Sequence, residues 1–99
     1  MQYLIVAYDG TDEKALERRM AVREEHIKLA KKNFNKRIIL YAAGILDDDG
    51  KMIGSMFVCD LPSREEVDQW LKKDPYVTGN VWHKIEVQRA QVPPFCMQS

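Results

Sequence analysis

Two side chains in this sequence have the chemistry of a proton relay, His26 and Asp74. An imidazole takes up and releases protons near neutral pH. A carboxylate bonded to one ring nitrogen fixes the tautomer and makes the other nitrogen a better base. Arg23 lies three residues before His26, so on a helix the two project to the same side. Asp74 opens the run Asp74-Pro75-Tyr76 and follows Trp70 and Leu71 by four and three residues, which extends the inward stripe of a helix. Two readings follow. His26 and Asp74 form an acid–base pair, or Arg23 and Asp74 form an ion pair that pins two helices with His26 as a bystander.

Other residues are weaker candidates. Ser55 lacks the G-x-S-x-G surroundings of a nucleophile and is better suited to donating a hydrogen bond to a ligand. Gly44 permits close backbone approach or marks a bulge. Tyr76 and Trp82 wall a pocket or fill the core. His83 falls on the inward side of the last strand by alternation, as a core histidine would. Two histidines and Asp74 match no metal-ligand spacing, and no glycine-rich phosphate loop is present, so neither metal nor cofactor is expected.

These residues need elements to position them. Residues 2–8 read as a strand rich in β-branched and aromatic side chains. Asp9 to Asp12 break it, and Thr11 or Asp12 is placed to cap a helix running to about Asn35. Leu16, Met20, Ile27, Ala30 and Phe34 recur at helical spacing and are expected to face inward, with Arg23 inside that stripe and His26 and Arg19 at its edge. Residues 38–46 are apolar almost throughout, Asp49-Gly50 makes a hairpin turn, and residues 52–59 return. Ser63 and Glu66 form a capping box for a second helix, which Pro75 ends. Residues 81–89 alternate as a strand with one buried face. The order is βαββαβ, an α+β ferredoxin-like pattern with a four-stranded antiparallel sheet.

The chain has 99 residues, which predicts a single domain over residues 1–99. Fifteen basic and fifteen acidic residues cancel, so a nucleic-acid footprint is not expected. No apolar run is long enough for a membrane-spanning helix and no secretory leader is evident, which with two lone cysteines suggests a cytoplasmic protein. Two helices cover one sheet face, whereas the first three strands are apolar on both. A second copy packed sheet to sheet relieves that exposure, so a homodimer closing into a barrel is expected.

Arg23-x-x-His26, Ala43-Gly44, Gly54-Ser55, and Asp74-Pro75-Tyr76-Val77 followed by Gly79 together resemble the YciI-like family over almost the whole chain. One departure is Ile45, where the family usually carries proline. The resemblance implies a ferredoxin-like subunit in a dimeric α/β barrel, with an active site on a His–Asp pair that falls on His26 and Asp74. It also implies chemistry akin to a dehalogenating lyase acting on a chlorinated hydroxymuconate, or to muconolactone isomerases. The resulting expectation is an enzyme acting on a small organic acid or lactone, with Arg23, Gly44, Ser55 and Tyr76 contacting an anionic substrate. A non-catalytic dimeric module that binds a small ligand is the alternative, and a monooxygenase of the same barrel architecture is a third.

Overall fold

The computed structural model describes residues 1–97. Its elements are β1 (Gln2–Asp9), α1 (Ala15–Asn35), β2 (Ile39–Leu46), β3 (Met52–Asp60), α2 (Arg64–Leu71), a short α3 (Pro75–Thr78) and β4 (Trp82–Ala90), followed by a 3-10 turn over Pro94–Met97. The four strands form one antiparallel sheet in the order β2-β3-β1-β4. This is the expected α+β ferredoxin-like arrangement.

Strand alternation builds the core. Tyr3, Ile5 and Ala7 of β1 stand beside Phe57 and Cys59 of β3, and all are buried with Val67, Leu71, Tyr76 and Trp82. Asp9 continues the same row of β1 and is also buried. Ser63 caps α2 as expected, its Oγ accepting from Glu66 N at 3.2 Å. Two local expectations are corrected. First, α1 begins at Ala15 with no side-chain cap. Asp12 is instead occupied by Arg18, whose Nη1 and Nη2 donate to its two carboxylate oxygens at 2.7 and 2.6 Å. Second, His83 is exposed and Trp82 is buried. A bulge where Asp9 pairs with Trp82 shifts the register and reverses the alternation at the start of β4.

The larger correction concerns which side of α1 meets the sheet. Met20, Ile27 and Phe34, expected inside, are about half exposed. The row that faces the sheet is displaced by one position: Ala15, Arg19 and Asn33 are buried, and Val22, His26 and Leu29 are half-buried. A polar row can face a core only where its groups find partners. Arg19 does so through Nη1 and Nη2 and His26 through Nδ1, while Arg19 Nε is left without a partner among the described residues, and these contacts define the site.

Candidate active site

Asp74 is the hinge of the site. α2 stops at Leu71, and Asp74 is extended (φ −70°, ψ 135°), as the residue before a proline prefers. Pro75 then starts α3, because its fixed φ suits a first helical residue. Asp74 therefore does not continue the inward stripe of α2. It is the N-cap of α3, and its Oδ1 accepts from Tyr76 N at 2.9 Å. The same oxygen lies 2.8 Å from His26 Nδ1. A carboxylate accepts, so Nδ1 carries a proton, and in the neutral ring Nε2 then presents its lone pair. Nε2 has no hydrogen-bond partner among the described residues. Both side chains are about 86% buried.

Aromatic contacts fix the imidazole plane. The His26 ring stacks on Tyr76 at 3.7 Å between centroids with 10° between planes, and Trp82 meets it edge-on at 5.7 Å. Tyr76 is fully buried, yet its hydroxyl finds no partner among the described residues. Burial pushes the Tyr76 phenol above its ordinary pKa, although the neighbouring Arg19 and Arg23 charges oppose this.

Arg19 supplies a second layer. Its Nη1 donates to both oxygens of Asp9 at 2.9 and 3.0 Å, and its Nη2 donates to Ser55 Oγ at 2.9 Å. Trp82 Nε1 donates to the same Ser55 oxygen at 3.3 Å. The guanidinium carbon lies 4.7 Å from the Tyr76 ring centroid. Seven residues separate Arg19 from His26, two helical turns or about 10 Å of rise, and the Tyr76 ring meets both.

A pocket of about 230 Å³ opens between α1 and the β2–β3 edge. All six sequence-derived site residues line it: His26, Asp74, Arg23, Gly44, Ser55 and Tyr76. Arg23 makes no ion pair with Asp74, which is occupied by His26. Among the described residues Arg23 has no salt-bridge partner, whereas the Arg19 charge is matched by Asp9. Arg23 is thus a cation of the pocket lining without a carboxylate partner among the described residues. Gly44 faces Ser55 in the β2–β3 register, and the end of the Met52 side chain reaches the place a Cβ would take. A larger groove of about 540 Å³ lies around Thr11, Asp12, Asp47 and Lys51, but no histidine lines it. Among the described residues, no three His, Cys, Asp or Glu side chains converge as metal ligands, and no helix is long and apolar enough to cross a membrane.

Sequence reasoning missed Asp9 and Arg19 as site residues. One signal was present: Asp9 ends the inward row of Tyr3, Ile5 and Ala7, and an acid at an inward position needs a cationic partner.

The YCII-related domain family matches residues 1–91. The chain belongs to this family. Among solved structures, the YCII-related chain is similar to 5-chloro-2-hydroxyhydroquinone dehydrochlorinase (TftG) from Burkholderia phenoliruptrix, solved in complex with 2,5-dihydroxybenzoquinone. The TM-score is 0.80 and identity 22%, covering 96% of this chain and 98% of that one. A dimeric ferredoxin-like protein from an uncultured marine organism is similar with a TM-score of 0.54 and 15% identity, over 92% and 94% of the two chains. No curated protein matches the sequence. At these identities the likeness establishes the fold shared by this YCII-related chain.

Proposed function

We propose that this protein is a small-molecule enzyme that uses His26 and Asp74 as an acid–base pair on an anionic organic acid, lactone or hydroxyquinone. The reading rests on one observation: the Nδ1 of His26 is held by Asp74 and both residues line one pocket, which leaves Nε2 for a ligand. Nε2 takes a proton from a carbon next to a carbonyl group, the electron pair of that bond moves into an enolate, and reprotonation elsewhere or loss of a leaving anion completes an isomerisation or an elimination. Arg23 attracts the substrate's negative charge. The structural neighbour is named a dehydrochlorinase, and loss of hydrogen chloride is an elimination.

The proposal includes a homodimer. The neighbour described as dimeric shares the fold, and Tyr8 and Tyr41 are 38% exposed on the sheet face that the helices leave open. Sedimentation should return twice the subunit mass.

The chemical test is deuterium uptake. Small oxo acids, lactones and hydroxyquinones would be incubated with the protein in D2O and followed by proton NMR. Exchange next to a carbonyl should be catalysed by the wild type and fall about 10²- to 10⁴-fold in His26→Gln. Equal exchange in the two proteins removes the acid–base reading.

A further inference from the structure

We propose that Ser55 is the hydrogen-bond donor to the substrate's carbonyl oxygen, and that Arg19 and Trp82 hold it in that role. This inference rests on the acid–base reading above and names the oxygen-binding part of the same site. A serine hydroxyl has one O–H and two acceptor lone pairs. Arg19 Nη2 and Trp82 Nε1 both donate to Ser55 Oγ, which occupies both lone pairs. The hydroxyl proton then has to point elsewhere. Among the described residues it meets no acceptor, although Ser55 is 5% exposed. A buried donor without an acceptor is costly in a finished core. Here it lies on the wall of a pocket, opposite Gly44 in the strand pairing.

The chemistry follows from that saturation. Ser55 has no lone pair to offer, so it rejects a ligand that presents only a donor and selects one that presents an acceptor oxygen. When His26 Nε2 removes the proton from the neighbouring carbon, the electron pair moves to the oxygen, and the Ser55 O–H bonds to a full negative charge. Such a bond strengthens as charge develops, the property that makes an oxyanion donor accelerate a reaction. Arg19 adds its positive charge behind the hydroxyl, and its bonds to Asp9 keep the guanidinium from turning toward the ligand itself. Arg19 is thus a positioning residue, and the substrate class narrows to carbonyl compounds with an acidic adjacent C–H.

The test uses 2,5-dihydroxybenzoquinone as probe, because its ionised oxygens are acceptors only. Calorimetric titration of the wild type should give saturable binding that weakens about 10- to 100-fold in Ser55→Ala, while Ser55→Thr, which restores a hydroxyl, recovers it. Arg19→Lys keeps the charge but loses the fork, and its effect should not add to that of Ser55→Ala, because both act through one hydroxyl. His26→Gln should still bind the probe while losing deuterium exchange. Failure of the acid–base reading would therefore show as unchanged exchange in His26→Gln, separately from the Ser55 result. Wild-type affinity in folded Ser55→Ala overturns the proposal, as does absence of probe binding by the folded wild type. Should Ser55→Ala not fold, Ser55→Cys keeps the shape with a weak donor, and wild-type affinity there is equally decisive against it.

Discussion

Asp74 Oδ1 is shared by two donors, His26 Nδ1 at 2.8 Å and the Tyr76 amide at 2.9 Å. One oxygen therefore both starts α3 and orients the imidazole. Asp74→Asn can keep the cap, because asparagine is a good N-cap, but its amide no longer selects the tautomer as a carboxylate does. Deuterium exchange should fall at least about 10²-fold with stability changed by less than about 1 kcal/mol. Asp74→Ala should lose both. Denaturation curves and exchange rates for the two variants separate the roles, and an Asp74→Asn protein with full exchange activity would contradict the assignment.

Tyr76 offers a contrast between ring and hydroxyl. The ring stacks on His26 and lies in the core, whereas the hydroxyl is buried without a partner among the described residues. Tyr76→Phe should be neutral or slightly stabilising, since it removes an unmet polar group. Tyr76→Ala should cost about 3–5 kcal/mol. A loss above about 2 kcal/mol in Tyr76→Phe would mean that the hydroxyl has a partner in solution.

The Arg19–Asp9 pair is 97% buried on both sides. Removing one partner strands the other charge, so Arg19→Met or Asp9→Leu alone should destabilise by about 3–5 kcal/mol in urea titrations. The double variant should recover much of that loss, because both charges leave together. Equal destabilisation by the single and double variants would refute the coupling.

Gly44→Ala separates pocket from fold. A Cβ there would meet only the terminal methyl of Met52, at 2.7 Å, and that side chain is flexible. The melting temperature should hardly change, while affinity for 2,5-dihydroxybenzoquinone should fall because space beside Ser55 is taken. At Gly79, by contrast, a Cβ would come within 2.7 Å of Pro75 O and 3.2 Å of Val22. Gly79→Ala should cost about 1–3 kcal/mol by pushing α3 from α1.

Stability should also fall at high pH. Burial pushes the Cys59 thiol from 9.0 up to about 11. Between those values the unfolded chain releases a proton that the folded protein keeps. The Cys59 contribution is therefore full below pH 9 and lost as pH rises through 11, about 2–3 kcal/mol in all. Tyr76, whose phenol is also raised by burial, acts in the same direction. Urea titrations from pH 8 to 11 should show a steeper decline in the wild type than in Cys59→Ala; parallel curves would rule out Cys59 as the source.

Much of this was legible from local rules. The succession of strands and helices along the chain, the Ser63 cap and the extended Asp74 before Pro75 follow from side-chain chemistry within a few residues. The His26–Asp74 contact was legible as a pairing of residue types, but the reason Asp74 reaches His26 was not. That depends on a new helix starting at Pro75 rather than an old one continuing. The inward side of α1 was misread because hydrophobicity favours Met20, Ile27 and Phe34, whereas burial of Arg19 depends on Asp9 and Ser55, which lie on two strands. No periodicity within one helix carries that information. The exposure of His83 likewise depends on a bulge set by the pairing of β4 with β1.

The two stripes of α1 have a consequence for how this protein can vary. They lie one residue apart, and one residue is a rotation of roughly 100°. A single deletion between Gly10 and Lys14 would swing the oily stripe onto the sheet and lift Arg19 and His26 away from their partners, and a single insertion would turn Arg18, Glu25 and Lys32 toward it. The Arg18 side chain, clasped by Asp12 and donating to Asn80 O at 3.1 Å, ties that loop to the end of α3. This short connector acts as an indexing key, and its length is as much a determinant of the pocket as any side chain within it.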